Sequence, residues 1–158
     1  MAEMQAIGTY LRLLFHNGSP TGNNFQNFSP GRTIAYLGSQ YIAAGFGFSG
    51  SSFDASASSI SASLVLGLNQ LDQNIFQQAA DNRWLAEVRT TWLDNATLLP
   101  ELDWTIDVYE VLGISHDNER LSVRLGSPLD AVAQNTPRLT LTQKAVGALP
   151  SSGNLTFN

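Results

Sequence analysis

The sequence predicts a mainly β (α+β) protein, a single antiparallel β sandwich or barrel-like domain with one short helix and a C-terminal extended arm. Three observations predict it. Several segments alternate apolar and polar residues, clusters of glycine, proline and asparagine separate them, and only one segment repeats its apolar residues at three and four positions. The length of 158 residues fits one domain. We place the β-rich domain at residues 1–141 and the arm at 142–158.

The first part of the chain predicts strands joined by polar connections. Residues 8–16 alternate and predict the first strand. Residues 17–31 carry three glycines, two prolines and four asparagines, which predicts a loop. Short strands are expected at residues 32–37 and 40–48, with Gly38-Ser39 as the tight connection between them.

A serine-rich segment and the helix follow. Residues 49–63 hold eight serines, which predicts a long, mobile loop or hairpin before a buried strand at 64–68. Residues 69–82 predict the helix, because Asn69 can cap its start and apolar residues recur at helical spacing. These apolar residues are Leu71, Ile75, Phe76 and Ala79.

The second half predicts an antiparallel run of strands. Residues 84–93 and 102–114 alternate, and a polar turn at 115–119 leads to a returning strand at 121–125. The inward faces of these strands would hold Trp84, Trp92 and Trp104, and truncation of a fully buried tryptophan to alanine costs about 3–5 kcal/mol. After Gly126 the chain has three prolines and one short strand signal at 138–141, which is typical of an arm.

Composition excludes several classes of function. Eight Lys and Arg stand against thirteen Asp and Glu, with Lys144 the sole lysine, so no basic stripe exists for a phosphate backbone. The absence of cysteine excludes disulfides, cysteine-ligated metal centres and a thiol nucleophile. No signal peptide or apolar run of about 18 residues occurs, which predicts a soluble, unexported chain without a membrane partner.

No motif predicts a catalytic, cofactor-binding or metal-binding site. A G-x-G-x-x-G at residues 45–50 lacks the following helix that a dinucleotide site needs. His16 and His116 have no metal-ligand spacing, and no G-x-S-x-G elbow is present. Glu101, Asp103 and Asp107 would share one side of a strand and, with Glu87 or Glu110, form an acid/base set. The solvated face of an alternating strand explains these carboxylates more simply.

A sugar-binding face is the other chemical possibility that the residues raise. Aromatic rings on β strands stack on pyranose, and five such rings fall on predicted strands. They are Tyr36, Tyr41, Phe46, Phe48 and Tyr109. Core packing or subunit contact explains these rings equally well.

The order of several short motifs resembles a known family. An Ile-x-x-x-Gly-x-x-Tyr segment at 34–41 is followed by Gly50 and by a Leu-rich segment at 64–66. The next motif is a strand of the form A-x-V-x-x-x-W-L-D, made by Ala86, Val88, Trp92, Leu93 and Asp94. The closing Leu125-Gly126-Ser127-Pro128-Leu129-Asp130 is followed by Thr136-Pro137-Arg138. Over residues 8–141, this order resembles the N-terminal domain of bacteriophage tail-tip proteins of the lambda minor tail protein L family and related tail-hub domains.

The chain departs from that family after the Pro137-Arg138 pair. The family continues into a cysteine-bearing part that ligates an iron–sulfur cluster, whereas this chain has Gln143-Lys144-Ala145 and no cysteine. The resemblance therefore implies no cluster, no other cofactor and no catalytic residues.

The resemblance implies a structural virion protein of a long-tailed phage, assembled in the host bacterial cytoplasm. Such a protein would form an adaptor ring at the distal tail or baseplate, joining the tail tube to the central hub or fibre. The ring would be trimeric if hub-like and hexameric if closer to distal-tail proteins. A net charge of −5 would let DNA pass the lumen without specific binding. The alternatives are a carbohydrate-binding or other non-enzymatic β interaction module and, less favoured, an enzyme.

Candidate subunit contacts lie in the serine-rich segment and the arm. Because residues 49–63 have small polar side chains and a single Phe53 anchor, we expect a neighbouring subunit or the ring lumen to order them. The arm has apolar groups but too few to fold alone, so it would lie against an adjacent chain. The candidate interface residues are Phe53, Pro128, Asp130, Pro137, Arg138, Leu149, Leu155 and Phe157.

Overall fold

The computed structural model describes residues 6–50, 52–53, 60–67 and 69–128. These contain ten strands and one helix. In chain order they are β1 (Ala6–Leu14), β2 (Pro20–Gln26), β3 (Ile34–Tyr36), β4 (Ser39–Ala43), β5 (Phe46–Phe48), β6 (Ser52–Phe53), β7 (Ile60–Gly67), α1 (Gln70–Asp81), β8 (Leu85–Leu93), β9 (Pro100–His116) and β10 (Arg120–Gly126).

The strands form one sheet in the order β3-β4-β2-β1-β8-β9-β10-β7-β5, with β6 paired to β7. The predicted mainly β class with one short helix is confirmed. Neighbouring strands pair antiparallel with one exception, since β2 and β4 run parallel where Phe25 faces Ile42. The sheet is therefore mixed.

The sheet curls so that its two ends approach each other. β4 and β5 lie near opposite ends of the strand order, yet only residues 44–45 connect them. The amide of Ala44 donates to the carbonyl of Gln26 at 2.9 Å, and Asn27 Nδ2 donates to the carbonyl of Phe46 at 3.1 Å. These bonds join the two sides of the curl and give a barrel-like shape with a concave inner face.

The core lies on this inner face, and α1 packs into it. Phe76 and Ala79 on the helix are fully buried, and the ring of Phe76 stacks on Phe25 at 6.1 Å between centroids. Asn69 caps the helix, because its Oδ1 accepts from the amide of Leu71 at 2.9 Å. The predicted helix is thus confirmed. Within the described part of the chain, no helix is long and apolar enough to cross a membrane.

β2 was not expected, because the sequence predicts a loop over residues 17–31. Phe25 pairs with Leu11 of β1 and is buried in the core. Gln26 is also fully buried, and it satisfies its polar atoms locally: Nε2 donates to the carbonyls of Ser29 and Arg32, and Oε1 accepts from the amide of Ser29. Asparagine and glutamine thus form a strand here because backbone pairing and side-chain hydrogen bonds supply their partners.

The next segments correct two further predictions. Residues 40–48 form two strands rather than one, and the turn between β3 and β4 uses Leu37 and Gly38, whose φ angles are 46° and 76°. Positive φ at both central residues is typical of a type I′ hairpin turn, in which glycine is favoured and leucine is not. The sequence does not show that Leu37 takes a positive φ angle, so it predicts the turn one residue later, at Gly38-Ser39.

The prediction that the tryptophans of β8 face inward is only partly correct. Ala86 and Val88 face the core, but Trp84 and Trp92 are half-buried. The cost of about 3–5 kcal/mol applies to a fully buried ring and is therefore too large for these two. The side chain of Trp104 lies outside the described part of the structure.

Candidate functional site

Both ends of the serine-rich segment form the hairpin that the sequence allowed, and they pair within their own domain rather than with a neighbouring subunit. The amide of Ser49 donates to the carbonyl of Ser63 at 3.0 Å, and Ser49 Oγ accepts from the amide of Ser63 at 2.9 Å. β6 pairs with the start of β7 through Phe53 and Ile60. A neighbouring subunit is not needed to order these ends, and residues 54–59 lie outside the described residues.

The other predicted interface residues are mostly beyond the described chain. Pro128 lies two residues after the end of β10 and is half-buried. Asp130, Pro137, Arg138, Leu149, Leu155 and Phe157 lie outside the described residues, as does the predicted boundary at residue 141.

The structure reveals an exposed apolar row that the sequence did not single out. Ile106, Val108 and Leu112 of β9 are 51%, 41% and 44% exposed. Ile106 and Val108 lie opposite Arg89 and Glu87 of β8, on the sheet face away from the core. We call these three side chains the β9 outer row. In strict alternation these three share a side with Trp104, which the sequence predicts to face inward, and their exposure corrects that prediction.

Leu112 lies on the outer face because alternation is unbroken from Ile106 to Leu112, and it stands at a bulge in β9 next to Gly126 of β10. The pairing of β10 with β9 shifts by one residue between Arg124 and Leu125, which leaves Leu112 as the extra residue on β9. A Cβ atom at Gly126 would lie 2.6 Å from Leu112 Cδ1, so glycine leaves room for the side chain in this position. Any larger residue at position 126 would displace Leu112.

An ion pair between a buried carboxylate and an exposed arginine lies beside the outer row. Glu110 is 1% exposed, and its carboxylate accepts from Nε of Arg83, which follows α1. Glu110 is opposite Leu85 of β8, between Val108 and Leu112 along β9. Because its charge is buried and paired, Glu110 is a structural residue rather than an available acid or base.

One edge of β9 is open next to the outer row. The strand pairs with β8 from Pro100 to Glu110 and with β10 from Glu110 to His116. In the part of the chain that the structure describes, no strand pairs with the β10 side of residues 101–108. We call this stretch the open β9 edge. An open edge presents backbone donors and acceptors to a further strand.

A cluster of aromatic rings covers the outer face near β1. Tyr10 is its centre, with its ring stacked on Tyr36 at 4.7 Å and edge-on to Tyr41 at 4.7 Å and Phe28 at 5.0 Å between centroids. Gly8 lies beneath Phe28, because a Cβ at this position would be 2.6 Å from the Phe28 ring. The β3–β4 hairpin and the loop after β2 therefore pack against the outer face as a second small core.

An ion-pair network borders this cluster. Arg89 Nε donates to Glu87 Oε1 at 2.9 Å, and its Nη1 donates to Asp103 Oδ2 at 2.8 Å. Arg12 lies 3.7 Å from Glu87, and the hydroxyl of Tyr36 donates to Asp103 Oδ1. Both oxygens of Asp103 are thus engaged. The network anchors the β3–β4 hairpin to β8 and β9.

Burial raises the pKa of Tyr36 to about 12, and the hydrogen bond to Asp103 acts in the same direction. Because the folded state holds this proton more tightly than the unfolded chain, its stabilisation is complete below about pH 10 and is lost as the pH rises towards 12. We predict that phenolate absorbance of Tyr36, isolated by comparison with Tyr36→Phe, appears only well above pH 10. A titration of Tyr36 at its ordinary value would contradict the packing of this cluster.

The predicted acid set does not assemble. Asp103 lies opposite Thr91, whereas Asp107 lies opposite Val88, whose side chain faces the core. A register shift between Thr90 and Thr91 adds one residue to β9 and puts Asp103 and Asp107 on opposite faces. The prediction that they share one side with Glu101 is therefore wrong for Asp107.

The remaining motifs gain no chemistry from the fold. His16 and His116 are both exposed, and among the described residues no three His, Asp or Glu side chains come together as metal ligands. The G-x-G-x-x-G lies on β5 and the connection to β6, so a strand follows it where a dinucleotide site would have a helix.

The rings considered for sugar stacking are largely inside the protein. Tyr41, Phe46 and Tyr109 are buried, and Tyr36 and Phe48 are half-buried. Phe48 contacts the Tyr109 ring in the core at 5.8 Å. These rings offer no shared exposed face on which a pyranose ring could stack.

A shallow depression of ≈ 220 Å³ lies beside β9 and β10, lined by small residues that include Ser63, Gly113, Ser115 and Ser122. Arg124 is its one charged lining residue. Its lining combines serine hydroxyls with this one cation, a set suited to polar contact.

No protein-family model matches the chain, and no curated protein matches it in sequence.

Proposed function

We propose that this protein is a structural virion protein of a long-tailed bacteriophage that forms an adaptor ring at the distal tail or baseplate. The β9 outer row beside the open β9 edge is the observation that carries the proposal. Together they give each subunit an apolar surface and an unpaired strand edge side by side. The order of motifs along residues 8–141 supports a tail-tip ring as the kind of assembly.

The surface favours contact between unlike faces. Apolar side chains grouped on one exposed strand lose unfavourable contact with water when a protein covers them. A strand edge is satisfied by a partner strand, not by a small ligand. Two copies of this edge would bring their own acidic residues together, so a neighbour would meet the face with a different surface. Repeated around an axis, such heterologous contacts form a ring where the rotation closes.

The composition is compatible with this role. The net charge of −5 and the small number of Lys and Arg residues give a lumen little attraction for passing DNA. Within the tail the ring would contact the tube on one side and the central hub or fibre on the other. Three copies are expected for a hub-like ring and six for a distal-tail-like ring.

The subunit mass in solution tests the role of the outer row. We expect the wild-type chain to form a particle of three or six copies and Val108→Lys to weaken association roughly tenfold or more, because a lysine would be desolvated in the contact. Leu71→Lys is the matched control, since Leu71 is 61% exposed on α1, which packs on the core face of the sheet and not on the face of the outer row. This control should assemble like the wild type.

Two results would count against the proposal. One is a wild-type chain that stays monomeric at every concentration, particularly one whose mobility shifts on addition of sugars, as a carbohydrate-binding module would. The other is Val108→Lys assembling as well as Leu71→Lys, which would place the subunit contact elsewhere.

A further inference from the structure

We infer that residues 138–144 of a neighbouring copy add a strand to the open β9 edge. This inference rests on the proposed ring and specifies how adjacent subunits hold each other. The segment lies outside the described residues, and its sequence Arg-Leu-Thr-Leu-Thr-Gln-Lys alternates as a strand does.

The open edge has the length that one short strand needs. Residues 101–108 pair with β8 on one side only, and eight residues of strand extend roughly 26 Å. A seven-residue segment fills most of this length. Its main-chain hydrogen bonds would supply affinity, and the neighbouring side chains would supply specificity.

Charge favours this segment over a second copy of the same edge. Residues 101–108 contain no Lys or Arg, and because Asp103 is already paired with Arg89, Glu101 and Asp107 supply the remaining negative charge of this edge. Two such edges pairing with each other would bring like charges together, which protects against that association. Residues 131–158 contain Arg138 and Lys144 and no acidic residue. The basic segment therefore complements the acidic edge.

β10 does not continue along the open β9 edge. Gly126 pairs with Glu110, so the next residues along β10 would reach the open edge first. Position 128 is proline, which has no amide proton to donate to a ladder, and Ser127 before it is buried. β10 therefore ends where the open edge begins.

The outer row favours a donor from another subunit. A strand from the same chain would satisfy the edge but would leave Ile106, Val108 and Leu112 exposed, because these side chains lie on the sheet face. A neighbouring subunit can cover the face with its domain and the edge with its arm. Residues 129–137 give the arm up to about 30 Å of reach from its own domain, enough to cross a subunit boundary.

Cross-linking between separately tagged chains tests the inference, and the lack of native cysteine removes background reaction. One chain carries Thr105→Cys on the open edge, the other carries Thr140→Cys, and the two are refolded together and treated with a short bis-maleimide. We expect a cross-linked product that contains both tags. Ser115→Cys is the matched control, since it is exposed on the same strand where β10 already occupies the edge.

The outcomes separate this inference from the proposed ring. A mixed-tag product well above the Ser115→Cys control supports strand donation between subunits. A chain that carries both Thr105→Cys and Thr140→Cys is treated in the same way. The inference is overturned if cross-linking occurs only within that chain, or if no mixed-tag product exceeds the Ser115→Cys control. The mass of the untreated particle is measured in parallel: a ring without the mixed product rejects only the docking of the arm, whereas a monomer rejects the ring itself.

Discussion

Replacing Phe76 with alanine is expected to reduce the free energy of unfolding by about 3–5 kcal/mol. The ring is fully buried, stacks on Phe25 and attaches α1 to the concave face of the sheet. Truncation leaves a cavity between helix and sheet that the strands cannot close without breaking their pairing. Urea unfolding followed by circular dichroism measures the change.

Leu71→Ala on the same helix is the control. Leu71 is 61% exposed, and its truncation should change stability by no more than about 0.5 kcal/mol. Both substitutions put alanine into a helix, so the difference between them isolates the burial of Phe76. Equal effects of the two substitutions would mean that α1 does not pack into the core as described.

Deleting residues 143–158 is expected to weaken ring formation with little change in melting temperature, because it shortens the proposed edge strand to residues 138–142. The deletion removes Lys144 and the apolar residues Leu149, Leu155 and Phe157, and it leaves every described strand intact. The arm should therefore matter for contact between subunits more than for folding of the domain. Native mass measurement and a thermal melt of the same sample separate the two effects.

Deletion of residues 1–5, which precede β1, controls for shortening the chain. That variant should keep both the melting temperature and the ring. If the chain lacking 143–158 assembles normally, the arm is dispensable. If that chain fails to fold, the arm is a core strand of its own domain.

The sequence predicted those elements whose local signals agree with their environment. The helix was predicted because Asn69 caps it and Phe76 and Ala79 recur on its buried face. β8 was predicted from its alternation. β2 was missed because its Thr, Asn and Gln residues resemble a loop, and their partners come from β1, β4 and the following turn.

The faces of β9 were harder to predict than the strand itself. Alternation assigns faces correctly only while the pairing register is unbroken, and β9 has bulges against both β8 and β10. These shifts moved Asp107 away from Asp103 and placed Leu112 at a bulge. A bulge depends on two strands at once, so one strand's sequence does not reveal it.

The open β9 edge could not be predicted from local sequence either. It exists because β9 has seventeen residues and its partners β8 and β10 cover different parts of it. The acidic residues on this stretch were visible in the sequence and were assigned to a solvated face. Their position on an unpaired edge is what gives the basic residues Arg138 and Lys144 a proposed partner.

An electron-microscope image of the purified, assembled protein tests the central claim most directly. Class averages should show a closed ring of three or six subunits around an opening, with each subunit contacting the next through unlike faces. Fusing a small tag to the C-terminus should place extra density at each boundary between subunits. Single compact particles without an opening, or open filaments, would contradict the proposal that this chain is the subunit of a tail-tip ring.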